Sequence, residues 1–322
     1  MKESPLFWPA YFKKDILFVL DETLIPEKLK YIEVKTPAQA VKVIKDMKTR
    51  AFGQFLVVLS TFLIVLKDKK IKTDKVLLKK LLSAAEALNK SRPTFPFSEV
   101  TGMVLGWAQK AQKGNLDLRV YLNRNIEGFL LGIRGRRLER VEKLADTIKK
   151  YKNILTHCNV SGELAMAAQI CKAQGKDIGF FATETRPYFQ GSRLTAWELK
   201  KAGVSVTLVA DNAVATLLRD KMVDAVVVGS DRSCANGDFA NKIGTLQIAI
   251  AADEFDVPFY VLTQPSNKVK QGKDIPIEIR DENEILKVKG KRFVPKGVKG
   301  FYPGFDVIPH KFITKAIAIN VN

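Results

Sequence analysis

From Asn153 onward the chain changes texture, and that change constrains its fold more than any other feature. Short apolar runs alternate with longer stretches of helical period. The runs are NILTHC at 153–158, IGFFATE at 178–184, VSVTLVAD at 204–211, AVVVGSD at 225–231 and PFYVLT at 258–263. Between them lie GELAMAAQICKAQ, LTAWELKKA, NAVATLLRDK and NKIGTLQIAIAADEF. This alternation predicts a parallel sheet covered by helices on both faces, with right-handed crossovers. In such a sheet ligands sit outside the carboxyl ends of the strands. The chemistry-bearing residues fall there: Cys158 ends one run, Thr183–Arg186 another and Asp231 a third. The strand starts carry nothing similar.

The first half reads differently. Residues 12–35 predict short strands and turns, and Thr36–Pro37 reads as an N-cap followed by a first-turn proline. Helical patterns follow at 38–47, 54–66, 72–89 and 98–148, with Arg50 and Arg92 at the breaks between them. The expected organisation is therefore a mainly helical N-terminal domain, 1–145, preceded by short β strands, and an α/β domain, 146–322. The most apolar stretch, FGQFLVVLSTFLIVL at 52–66, contains Gln54 and Ser60 and is shorter than the roughly 20 residues a membrane span needs. It reads as a buried helix. No secretory signal is evident in MKESPLFWPAYFKKD, and the three cysteines contain no Cys-x-x-Cys, so a reduced, cytoplasmic chain is expected. With two histidines and no Cys/His cluster, no metal site is expected. The net charge of +19 comes from lysines spread along the chain without interleaved aromatics. It reads as solvated surface that steers anionic substrates, not as a nucleic-acid interface.

Val223–Thr245 reads as strand, loop and helix. Asp231 lies at the strand tip, and Asn241, Lys242 and Thr245 open the helix, where free N–H groups and the positive dipole end suit a phosphate. Cys158 precedes another helix start. It is either an acidified thiol able to act as base or nucleophile, or a buried structural cysteine. His157, on the opposite side of its strand, reads as structural. Arg186 and Arg193 either bind phosphate or brace their loop. Gln190–Gly191 suits close approach by a substrate. Arg50 and Arg92 are either surface charges or a phosphate clamp.

In order, the chain carries Arg50, SRPT at 91–94, LTHCN at 155–159, TETRP…QGSRLTAWEL at 183–199, GSDR…NGD…NKIGT at 229–245, and GKRFVPKGVKGFYPGFDVIP. Over about residues 12–313 this resembles the methylthioribose-1-phosphate isomerase family. Its relatives are the ribose-1,5-bisphosphate isomerases and the regulatory subunits of the translation initiation factor exchange complex. The resemblance implies a Rossmann-like, mostly parallel sheet in the C-terminal domain. It implies catalytic residues at Cys158 and Asp231, and substrate-binding residues at Arg50, Arg92, Gln190, Asn241 and Lys242. It also implies a homodimer, a small-molecule sugar phosphate as substrate, and no metal or organic cofactor.

The implied reaction converts 5-methylthioribose 1-phosphate to 5-methylthioribulose 1-phosphate in methionine salvage. The anomeric phosphate blocks spontaneous ring opening, so an acid must protonate the ring oxygen while a second group serves C2. A desolvated Asp231 suits the first task and Cys158 the second. Two departures stand out. The family's Arg-Gly-Ala-Pro loop is Arg50–Ala51–Phe52–Gly53 here, and Gly-Ala-Asp is Gly229–Ser230–Asp231. Phe52 is expected to add bulk near the sugar, favouring 5-methylthio or 5-deoxy substrates over a bisphosphate. The alternatives are isomerisation of 5-deoxyribose 1-phosphate or ribose 1,5-bisphosphate, and a non-catalytic, ligand-sensing regulatory subunit.

Overall fold

A computed structural model describes residues 1–93, 95–264 and 268–319. The chain forms two compact units, Pro5–Gly135 and Arg136–Asn322 together with Met1–Ser4.

The first unit begins with an antiparallel sheet of β1 (Ala10–Lys13), β2 (Ile16–Leu20) and β3 (Tyr31–Val34). Helices α1 (Pro37–Lys45), α2 (Ala51–Lys67), α3 (Asp74–Ser91) and α4 (Phe97–Lys113) follow, and α5 (Leu118–Ile148) starts here and ends in the second unit. Helix α1 starts as the sequence predicts: Thr36 caps it, Gln39 closes a capping box, and Pro37 occupies the first turn. Helix α2 is apolar on all sides and is buried from Gly53 to Leu66 except Phe55. An all-apolar helix must be surrounded, and β1, β2, α1, α3 and α4 surround it. No helix among the described residues is long and apolar enough to cross a membrane. The expected break at 49–53 is narrower than the sequence indicates, because Ala51, Phe52 and Gly53 already form the first turn of α2.

The second unit contains β4 (Asn153–His157), α6 (Glu163–Ala173), β5 (Gly179–Thr183), α7 (Ala196–Lys201), β6 (Val206–Val209), α8 (Val214–Arg219) and β7 (Ala225–Gly229). It continues with β8 (Arg232–Ser233), β9 (Phe239–Lys242), α9 (Thr245–Glu254), β10 (Phe259–Thr263), α10 (Asn283–Leu286), β11 (Lys287–Val288), β12 (Lys291–Arg292), β13 (Phe305–Ile308) and β14 (Lys315–Ala318). The main sheet has the order β14-β10-β7-β4-β5-β6, and every pairing in it is parallel. Counted from β4, successive strands are added outward on one side through β5 and β6, then on the other through β7, β10 and β14. This is the Rossmann order, and its reversal point lies between β4 and β7. Leu155, Val226, Val228, Phe259 and Val261 line one face and pack against Leu217 and Leu218 of α8 and Ile248 and Ala249 of α9.

All five predicted strands form. The β11–β12 hairpin was not anticipated, nor were two larger features. Strand β14 adds a sixth, and β8, β9 and β13 make a separate antiparallel sheet. Asn241 and Lys242 therefore end a strand, opposite Asp306 and Phe305, and do not open the helix; α9 begins at Thr245.

Candidate active site

The reversal point lies between the strand tips that lead to Cys158 and Asp231. His157 pairs with Val228 across β4 and β7, so Cys158 and Asp231 leave the carboxyl ends of neighbouring strands. Cys158 adopts a left-handed backbone, φ 63°, and is 7% exposed. Two threonines hold that conformation. Cys158 N–H donates to Thr185 Oγ1 at 3.0 Å, and Thr195 Oγ1 donates to the Cys158 carbonyl at 2.5 Å. Thr185, also left-handed, is pinned in turn: Asp211 accepts the Thr185 and Arg186 N–H groups, each at 2.7 Å. The tips of β4, β5 and β6 thus form one hydrogen-bonded rim.

His157 turns the other way, as alternation predicts. Its Nε2 donates to the Ile243 carbonyl at 2.8 Å, so Nδ1 accepts from Thr183 Oγ1 at 2.6 Å. Burial lowers its pKa, and the ring is a neutral brace between sheet and loop. Five residues after Cys158, the Glu163 carboxylate at the start of α6 pairs with Arg137 and Arg140. Burial raises its pKa, but the two guanidiniums outweigh that effect and hold it below the usual range.

Asp231 is half-buried, and its N–H donates to the Ala240 carbonyl at 2.9 Å. The following turn is fixed by Asp238, whose carboxylate accepts the N–H groups of Gly272 and His310, each at 2.9 Å. Burial works against ionisation of Asp238, yet the hydrogen bonds from Asn236, His310 and Gly272 keep it far below the ordinary carboxylate range.

The phosphate-friendly helix start expected at α9 is occupied by the protein itself. Asp306 Oδ2 accepts the N–H groups of Gly244 at 2.7 Å and Leu246 at 3.0 Å. Gly244 has φ 102°, and a Cβ there would lie 3.1 Å from His157 Cε1, so glycine is required. Asn241 Nδ2 donates to Thr245 Oγ1 at 3.0 Å, which donates to the Lys242 carbonyl at 2.6 Å. The Lys242 ammonium is buried among the rings of Tyr188, Tyr302 and Phe305, and donates to Gly304 O at 3.0 Å and Tyr302 Oη at 3.3 Å.

Gln190 is 6% exposed, and its Oε1 has no hydrogen-bond partner among the described residues, which suits a substrate donor. The neighbouring Gly191 has a different reason from the one expected. A Cβ there would sit 1.7 Å from the Thr183 carbonyl, so the glycine admits the protein's own chain and not a ligand. Arg186 lies over Phe189 and Phe293 and donates to Ile285 O at 3.0 Å, which fits the loop-bracing alternative.

In the other unit Arg50 and Arg92 converge on the first turn of α2. Arg50 is its N-cap residue and pairs with Glu22 at 2.8 Å; Arg92 Nη1 donates to Gln54 Oε1 at 3.0 Å. The Arg50 side chain does not itself cap this helix start. Two guanidiniums near a helix N-terminus suit an anion. Phe52 stacks with Phe55 and meets Trp8 edge-on. Sequence reasoning missed Glu22, Gln54, Asp211, Tyr188, Tyr302 and Asp306, each of which acts through residues distant in the chain. Among the described residues no group of three or more His, Cys, Asp or Glu side chains is arranged to hold a metal ion.

Residues 54–318 match the family model described as the initiation factor 2 subunit family. The chain is 33% identical over 331 residues to the methylthioribose-1-phosphate isomerase of Thermoanaerobacter sp. (strain X514), covering 95% of this chain and 92% of that one. It is 36% identical over 329 residues to the 5-deoxyribose 1-phosphate isomerase of Clostridium botulinum (strain 657 / Type Ba4), covering 94% and 91%. Among solved structures it resembles 5-methylthioribose 1-phosphate isomerase from Pyrococcus horikoshii OT3, with TM-score 0.85, 30% identity and coverage of 98% and 93%. It also resembles the delta subunit of translation initiation factor eIF-2B from A. fulgidus, with TM-score 0.82, 29% identity and coverage of 97% and 94%.

Proposed function

We propose that this chain, which belongs to the initiation factor 2 subunit family, is an aldose–ketose isomerase converting 5-methylthioribose 1-phosphate to 5-methylthioribulose 1-phosphate. The observation that carries this reading is the emergence of Cys158 and Asp231 from neighbouring strands at the reversal point of the sheet. An acid and a second proton-handling group side by side are what the chemistry demands. The full-length relatives described above support the substrate class.

Asp231 delivers a proton to the ring oxygen, and the C1–ring-oxygen bond breaks. The C2 hydrogen passes to C1, and the C2 hydroxyl gives up its proton as C2 becomes the ketone carbon. That proton balances the one placed on the ring oxygen. Cys158 serves the C2 side. Gln190 hydrogen-bonds the sugar. Asn241 and Lys242 act as substrate-binding residues of the α/β domain, 146–322, and Arg50 and Arg92 as substrate-binding residues of the helical domain, 1–145. The enzyme acts as a cytoplasmic homodimer, which light scattering of the purified protein checks.

The experiment is a turnover panel followed by NMR, using 5-methylthioribose, 5-deoxyribose and ribose-5-phosphate forms of the 1-phosphate. Conversion of the 5-methylthio compound at the highest kcat/KM is expected. Preference for the 5-deoxy compound would replace the substrate and keep the reaction, the second reading that the Clostridium relative favours. No conversion of any of the three refutes isomerase activity.

A further inference from the structure

Tyr302 lies three residues before β13 and is 3% exposed. Its position is rigid. Its carbonyl accepts Arg280 N–H at 2.9 Å, and its ring meets Tyr188 edge-on, with centroids 6.3 Å apart and planes at 65°. Two residues on, the Gly304 carbonyl receives both Lys242 Nζ and Ile243 N–H. The two buried phenols differ in how they are satisfied. The Tyr188 oxygen accepts from Arg280 and its hydroxyl is hydrogen-bonded to Glu284. The Tyr302 oxygen accepts from Lys242 at 3.3 Å, but its proton reaches no acceptor among the described residues. A buried hydroxyl that accepts and does not donate calls for an explanation.

Burial, reinforced by Tyr188 and Glu284, pushes the Tyr302 phenol far above its ordinary pKa, so it keeps its proton throughout the physiological range. The Cys158 thiol contributes to the same rise, so its sulfur lies within electrostatic reach of this hydroxyl. Tyr302 thus stands among Lys242 and two further aromatic rings, within electrostatic reach of the thiol at the tip of β4.

We propose that Tyr302 is a substrate-binding residue of this site: its oxygen accepts a hydrogen of the Lys242 ammonium, and its own proton is donated to an oxygen of the bound sugar 1-phosphate. The proposal rests on the isomerase reading and adds a contact to it. The lysine hydrogen bond fixes the direction of the phenolic hydrogen. The substrate supplies the missing acceptor, and sugar and phosphate oxygens are both competent.

Tyr302→Phe removes the hydroxyl and keeps the ring. In the full chain, KM for 5-methylthioribose 1-phosphate and its calorimetric Kd are expected to rise about 10–100-fold, the usual size of a lost hydrogen bond to a charged or strongly polar partner. A merely structural loss lowers the folded fraction, and hence apparent kcat, without moving KM or Kd. Thermal melting of the variant reports that fraction directly. Should Tyr302→Phe not fold, Tyr302→Met, a flexible apolar side chain that carries no donor, takes its place under the same Kd criterion. KM and Kd within about twofold of wild type overturn the proposal. A wild-type chain that binds the sugar phosphate without converting it refutes the isomerase reading alone, and Tyr302 is then judged on Kd. A wild-type chain that neither binds nor converts it overturns both.

Discussion

Replacing Glu163 with glutamine should destabilise the second unit more than any exposed charge substitution. The carboxylate is 1% exposed and receives Arg137 Nε at 2.7 Å and Arg140 Nε and Nη2 at 2.7 and 2.6 Å. Arg137 also holds the Ser161 carbonyl at 2.9 Å, and Arg140 holds that of Thr263 at 2.8 Å, so the network anchors the loop after β4 to the end of β10. A neutral amide in place of the carboxylate leaves two buried guanidiniums without their main counter-charge. Breaking such a network from one side costs about 3–5 kcal/mol. Glu3 also attracts Arg137, which places the loss toward the lower end, about 3 kcal/mol. For the second unit, of about 190 residues, that is a fall in its Tm of roughly 6–12 °C, read by circular dichroism at pH 7.5. The pH dependence follows in sign. The folded carboxyl lies below its unfolded value of about 4.3, so its contribution is complete above that pH and is lost as pH falls through the folded pKa. The gap in Tm between wild type and Glu163→Gln should therefore narrow below about pH 4. A shift under about 2 °C at pH 7.5 would refute the anchoring role.

Cys158→Ser and Asp231→Asn should each lower kcat by about 100-fold or more with KM nearly unchanged, as measured by product NMR, because the proposed mechanism has both groups move protons. Gly191→Ala should cost about 3 kcal/mol or more by urea unfolding, since its Cβ would lie 1.7 Å from the Thr183 carbonyl, a backbone atom that cannot step aside. Asp306→Ala should cost about 1–2 kcal/mol in the same assay, because it uncaps the Gly244 and Leu246 N–H groups at the start of α9.

What the sequence reveals and what it hides divide along contact distance. The apolar runs of β4, β5, β7 and β10 are legible because an inner strand covered on both faces is apolar throughout, whereas β6 is an edge strand with Thr207 and Leu208 exposed and shows through its β-branched residues. Strand β14, KAIA, is an edge strand with two exposed residues, and its four positions carry too little pattern to be recognised. Asn241–Lys242 looks like a helix cap in isolation. It becomes a strand end through pairing with Phe305–Asp306, more than sixty residues later. The same separation hides Asp306 as the cap of α9 and Tyr302 as a partner of Lys242. The strand order is hidden too: nothing local in Cys158 or Asp231 says that β4 and β7 are neighbours, yet that adjacency brings the two strand tips next to each other.

The most direct test of that site is a crystal structure of Cys158→Ser soaked with 5-methylthioribose 1-phosphate. The sugar is predicted at the carboxyl ends of β4 and β7, with C2 facing position 158 and the ring oxygen within about 3.5 Å of the Asp231 carboxylate. A sugar bound elsewhere, or held with its ring oxygen beyond reach of Asp231, contradicts the account.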